Sequence, residues 1–201
     1  RYRNLISSAC PAVNRLIEIY RPKALPFLAP VDTPMVAHAK IIKKRDKDAV
    51  VLFVGPCIAK KREARESDLI ENVLTFEELE MFFKSEGIDL KQIEAELKED
   101  ATSCGGGLAA RNYPISRGII KSFKDARGDY EYIAVSGVAN VMQALESVDE
   151  LYNVFLELNA CDHACINGPC AVKRAGGVVR ANIAVRNYAH KGDGEIKPDT
   201  E

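Results

Sequence analysis

The chain has 201 residues, 47% of them apolar, with 28 Lys and Arg set against 29 Asp and Glu for a formal net charge of −1. That is enough apolar material for one large domain or two small lobes with a packed core. A near-neutral chain without a basic stripe interleaved with aromatics excludes a nucleic-acid partner held by bulk electrostatics. The longest apolar runs, such as AVVLFV at 49–54, fall far short of the ~20 residues of a membrane span, and no export signal is visible. Six cysteines are too few for a secreted disulfide scaffold and indicate a reducing, cytoplasmic setting in which thiols stay available as metal ligands.

In chain order, PAVNRLIEIY (11–20) and PMVAHAKIIKK (34–44) predict helices that begin at Pro11 and Pro34, because proline suits the first helical position. VVLFV (50–54) predicts a short buried strand, and CIAKKREARE (57–66) a helix behind it. TFEELEMFFKSEG (75–87) opens with Thr75 and Glu78 at capping-box spacing and stops at Gly87. DLKQIEAELKED (89–100) continues as a solvated amphipathic helix. The glycines and proline of SCGGGLAARNYPISRG suggest a lobe boundary within 98–118. YEYIAVSG (130–137) predicts a second strand running into a glycine turn, and VANVMQALESVDELYNVFLEL (138–158) has apolar residues at helical spacing. Residues 191–201 offer nothing to bury and read as a polar tail or linker. The start at Arg1, a few residues before a cysteine motif, reads as a piece cut from a longer chain. Alternating elements predict an α/β class: two lobes of small sheets flanked by helices, with ligands at strand-turn-helix junctions.

The cysteines fall at such junctions. Cys10 precedes Pro11 and Cys57 follows a Gly-Pro pair, so both are expected at helix N-termini, where free amides and the macrodipole favour a thiolate. Lys60, one turn beyond Cys57, with Lys61 and Arg62 beside it, would compensate the negative charge of a thiolate-held cluster. In NACDHACINGPC (159–170), Cys161 and Cys165 form a CxxxC pair whose sulfurs can converge in a helix or a turn. A lone cysteine is more often a small core residue than a ligand, but four tied to such positions point to metal. A zinc site on Cys161, His163, Cys165 and Cys170 is the rival; its CxHxCxxxxC spacing matches zinc knuckles poorly.

Taken together, SSACPAV (7–13), GPCIAKKRE (55–63) and ELNACDHACING (157–168) resemble the three signature motifs of the iron-only, or FeFe, hydrogenases, TSCCP, MPCxxKxxE and ExMxCxxGCxxGG, in the same order along the chain. The resemblance implies a single hydrogenase-like domain over 1–201 with an iron-sulfur cluster in the cleft between two lobes. It implies a 4Fe-4S cubane on Cys10, Cys57, Cys161 and Cys165. Cys165 would bridge to a two-iron subcluster with CO and cyanide ligands, and Lys60 and Pro56 would line the cyanide sites. It further implies hydrogen and protons as substrates, an electron-carrying ferredoxin-like domain or protein as partner, and, by likeness to divergent members, a downstream signalling domain.

The departures from the motifs shape the functional expectation. Ala9 stands where the family has a proton-relaying cysteine, and alanine cannot titrate. Gly55 and Asn159 replace methionines, which predicts a roomier and more polar pocket. His163, Pro169 and Cys170 stand where glycines are usual. The pattern resembles the divergent, sensory branch, in which hydrogen binding reports and turnover is slow. Two other readings remain: a redox or structural module holding only the cubane, and a zinc-binding or metal-free structural domain. Cys104, among three glycines, reads as a turn thiol or a cleft-lining residue. His38 reads as a helix residue, His163 as a surface residue or proton carrier, and Cys170 as a spare ligand or redox-sensitive thiol.

Overall fold

The computed structural model describes residues 2–89, 93, 108–123, 130–173 and 175–190. Five strands form two parallel sheets. In the larger, β1 (Leu5–Ile6) and β4 (Glu131–Ser136) flank a central β5 (Val154–Asn159), with Ile6 opposite Leu156 and Ala134 opposite Glu157. In the smaller, β2 (Leu52–Val54) pairs with β3 (Asn72–Leu74). The helices are α1 (Pro11–Tyr20), α2 (Pro34–Arg45), α3 (Ala59–Arg65), α4 (Phe76–Ser85), α5 (Val138–Glu146) and α6 (Gly177–His190). This is the α/β class expected of the alternating pattern.

Each sheet carries its own core. Ile6, Val13, Ile17, Val141, Leu145, Leu156 and Leu158 pack around the larger one, and Met35, Ala39, Val51, Ala64, Ile70 and Val73 around the smaller. The chain enters the larger sheet twice, first with β1 and α1 and again with β4, α5 and β5, and builds the smaller core in between. Of the proposed boundary at 98–118, residues 98–107 lie outside the described residues, as do Cys104, most of the helix expected at 89–100 and the tail at 191–201.

The helices expected at Pro11 and Pro34 begin there. The capping box of α4 forms as its spacing predicts: the Glu78 amide donates to Thr75 Oγ1 at 3.2 Å, and the Thr75 amide donates to Glu78 Oε2 at 2.8 Å. Gly87 closes the segment at φ 69°, a conformation glycine adopts without penalty. Thr75→Ala removes one acceptor from the helix start, and urea unfolding is expected to register a loss of about 1 kcal/mol.

One expectation needs correction. The helix predicted over 138–158 ends at Glu146, and Val154–Asn159 is instead the central strand of the larger sheet. All six residues of β5 are buried. A parallel strand covered on both faces shows a continuous apolar run without alternation, and such a run mimics the apolar face of a helix. Asn153, at φ 55°, makes the left-handed turn into the strand. Among the described residues no helix is long and apolar enough to cross a membrane.

Candidate metal centre

Three of the parallel strands deliver the four cysteines, each from its carboxyl end. β1 runs through Ser7 and Ser8 into Cys10, the N-cap of α1. β2 leads through Gly55 and Pro56 to Cys57, just before α3. β5 leads to Cys161, and Cys165 opens a 3-10 turn over Cys165–Asn167. Because β1 and β5 are parallel neighbours, Cys10 and Cys161 leave the same edge of one sheet. The space beyond the carboxyl ends of parallel strands is where such sheets bind ligands.

Backbone hydrogen bonds fix each cysteine loop. The Asn14 side chain donates to Ser8 O at 2.8 Å and the Asn14 amide to Cys10 O at 3.0 Å. The Lys60 amide donates to Cys57 O at 3.2 Å, the Ala164 amide to Cys161 O at 3.1 Å and the Gly168 amide to Cys165 O at 2.9 Å. Two of the loops also touch each other, since the Cys170 amide donates to Pro56 O at 3.1 Å. A side chain at position 168 would bring its Cβ to 2.9 Å from that same carbonyl, so the close approach requires Gly168. His163 and Ala164, at φ 61° and 66°, make the tight turn between Cys161 and Cys165.

The thiols act on one another. Burial, then the neighbouring Cys10, Cys57 and Cys161, push the Cys165 thiol up to about 12, with Lys60 opposing. Burial followed by Cys10, Cys57 and Asp162 raises Cys161, with Lys173 opposing. Burial, with a contribution from Cys10, also raises Cys57, against the Lys60 and Ala59 amides and the Lys60 charge. Four cysteine thiols form a set suited to a cationic, thiophilic group. Among the described residues no three His, Cys, Asp or Glu side chains converge closely enough to hold one ion between them. The fit to an iron-sulfur group therefore rests on the donor type, four soft cysteine thiols.

Lys60 is 8% exposed, and its Nζ donates to Glu63 Oε2 at 2.6 Å and to Thr33 Oγ1 at 3.4 Å. Thr33 in turn donates to the other Glu63 oxygen. Ala9 lines a cavity of about 710 Å³ together with Ser7, Ser8, Met35, Phe53 and Phe155, the last two from the smaller and the larger sheet. His38 lines the opposite wall from α2 and is exposed. His163 is exposed at its turn, and Cys170 is half-buried beside the Pro56 loop.

The space around positions 55 and 159 differs from the roomier, more polar pocket expected. A Cβ at Gly55 would sit 2.8 Å from Phe53 Cε1, so the Phe53 ring occupies the space that a longer side chain there would fill. Asn159 is 8% exposed, with its side chain turned 3.5 Å from Glu157 Oε1. Most of the cavity wall is aliphatic or aromatic.

Sequence reasoning overlooked Glu157. It is 1% exposed, and its Oε2 accepts from the amides of Ile119 and Ile120 at 3.1 and 3.0 Å. Together with the Ile166 amide bond to Pro114 O at 3.1 Å, it ties residues 114–120 to the strand and loop that carry Cys161 and Cys165. A lone carboxylate within the apolar run VFLEL was its available signal.

A two-core α/β fold thus presents four cysteines beyond the carboxyl ends of its strands. The sequence profile of the iron only hydrogenase large subunit, C-terminal domain, matches residues 2–169, and the chain belongs to that family. Solved structures agree on the fold. A variant of the FeFe hydrogenase HydA1 from Chlamydomonas reinhardtii superposes with a TM-score of 0.65 at 16% identity, covering 91% of this chain and 66% of its own. A structure of HydA(deltaEFG), described as revealing stepwise H-cluster assembly, gives 0.64 at 16% identity, covering 91% of this chain and 65% of its own. An FeFe hydrogenase studied for oxygen inactivation gives 0.64 at 18% identity, covering 91% and 64%. This chain thus spans about two-thirds of the length of the hydrogenases it matches. No curated protein sequence matches it.

Proposed function

We propose that this chain holds an H-cluster and works as a hydrogen sensor or slow hydrogenase. The cubane would sit on Cys10, Cys57, Cys161 and Cys165, with Cys165 the bridge to the two-iron subcluster and its CO and cyanide ligands. The observation that carries the reading is that these four cysteines, from three separate motifs, all follow the carboxyl ends of parallel strands. When bound, the group supplies the interconversion of hydrogen with two protons and two electrons.

The protein's own residues explain why turnover would be slow. Ala9 presents a methyl group to the cavity where a titratable side chain would be needed to carry protons. Ser7 and Ser8 beside it are buried and hold no proton that leaves near neutral pH. Lys60 is clamped by Glu63 and Thr33, which fixes its position and limits it to donating hydrogen bonds. Electrons would enter from a ferredoxin-like domain or protein, and a signalling domain would read the hydrogen-bound state.

Phe53 packed on Gly55 favours a second reading, a cubane-only redox module, because that ring narrows the space beside Pro56. Infrared spectra of anaerobic protein supplied with the two-iron precursor separate the two. CO and cyanide bands that shift under hydrogen are the expected result. A cubane signal without such bands would sink the H-cluster reading in favour of the redox module.

A further inference from the structure

The cations of the second motif are the obvious candidates to offset the charge of a thiolate-held cluster, yet each is already matched by a carboxylate. Lys60 pairs with Glu63 at 2.6 Å, Lys61 pairs with Glu78, and Arg62 pairs with Glu66 at 2.8 Å. The Lys60 pair is nearly enclosed, with side-chain exposures of 10% and 12%. Glu63 therefore offsets part of the Lys60 charge.

Lys173 differs. Its Nζ donates to Asn167 Oδ1 at 3.1 Å, a neutral acceptor, and among the described residues no carboxylate forms an ion pair with it. Asn167 closes the 3-10 turn that Cys165 opens, so this bond holds the ammonium beside a ligand loop. Lys173 and Cys165 line the same groove of about 420 Å³, which α6 bounds on its far side through Val178 and Ala181. Asp162, adjacent to Cys161 in the chain, carries the opposite charge, and Arg180 lines the groove farther along α6.

We propose that Lys173 is a positioning residue for charge: held by Asn167 at the solvent side of the cysteine cluster, it raises the reduction potential of the centre bound there. The proposal rests on the reading that Cys10, Cys57, Cys161 and Cys165 hold an iron-sulfur centre. Reduction adds one electron and hence one negative charge to that centre, and an unmatched cation nearby favours the reduced form. An exposed cation acts through water, so the effect is moderate and falls with ionic strength.

The test is a potentiometric titration of the whole chain, reconstituted anaerobically with iron and sulfide, reduced with dithionite and followed by paramagnetic resonance. At the wild-type midpoint, Lys173→Gln is expected to lower the ratio of reduced to oxidised centre about threefold, ~30 mV for a one-electron couple. Lys173→Arg restores the wild-type value, Asp162→Asn shifts the midpoint upward, and 1 M salt, with a Debye length of ~3 Å, shrinks the Gln effect. An unchanged midpoint in Lys173→Gln protein with full iron and sulfide would overturn the proposal and leave the cluster reading standing. Failure of arginine to restore the value would also overturn it, since packing would then be responsible. Wild-type protein that takes up no iron and sulfide would overturn both.

Discussion

Cys165→Ser protein reconstituted anaerobically with iron and sulfide is expected to lose the optical and paramagnetic signals of an iron-sulfur centre, while Cys170→Ser protein keeps them. Serine is nearly the same size as cysteine and the Cys165 side chain is half-buried, so the fold should tolerate the change. The chemistry does not tolerate it, because a hydroxyl is a hard and scarcely ionised donor where a multi-iron group selects soft thiolate. Cys165 is also the thiol most strongly held back from ionising, with its pKa near 12. Only a cationic group at the sulfur would make thiolate its stable form. The same pair of variants decides against zinc. A site on Cys161, His163, Cys165 and Cys170 would lose metal in both variants and be indifferent to Cys10→Ser and Cys57→Ser. The iron-sulfur reading predicts loss for Cys10, Cys57, Cys161 and Cys165 alike. Iron and sulfide retained in Cys165→Ser protein would remove that residue from the ligand set.

What could be read from the sequence followed from local chemistry. Pro11, Pro34, Thr75 and Gly87 mark helix boundaries because their effects on the backbone act within one turn, and those boundaries appear where expected. The cysteines were legible for the same reason, since Cys10 and Cys57 stand beside prolines at strand-to-helix junctions. The central strand was not legible. VFLEL is buried on both faces by elements far away in the chain, and such burial erases the alternation that would have revealed it. β1 and β3, at two and three residues, are too short to show any period. The role assigned to Lys60 was only half legible. Its position one turn beyond Cys57 follows from local backbone geometry, but its pairing depends on Glu63 and on Thr33, which arrives from a different segment. Lys173 was invisible because its link to the cluster runs through Asn167 and a turn that spacing alone does not define.

Glu157→Ala is expected to cost roughly 3–5 kcal/mol of unfolding free energy, a large share of the ~5–15 kcal/mol available to a typical domain. The Glu157 carboxylate lies in the middle of β5 at 1% exposure, and a single oxygen accepts two backbone amides, those of Ile119 and Ile120. Alanine leaves both donors without a partner, at ~1–3 kcal/mol each, and opens a cavity at a position that is almost fully buried. Glu157→Gln separates the two ways this carboxylate could act. A glutamine carbonyl can receive the same two amides, so if the hydrogen bonds matter and the charge does not, Gln retains most of the stability that Ala loses. Urea unfolding of the three proteins gives the comparison, because a midpoint that moves at constant slope reports stability alone. The segment that Glu157 holds contributes Tyr113 and Ile119 to the wall of the cleft cavity and accepts the Ile166 amide next to Cys165. Release of that segment in Glu157→Ala protein should therefore also reduce iron-sulfur loading under conditions where the variant remains folded. An Ala variant as stable as wild type, with full loading, would mean that residues 114–120 are held by their own packing and that this buried carboxylate contributes nothing to the site.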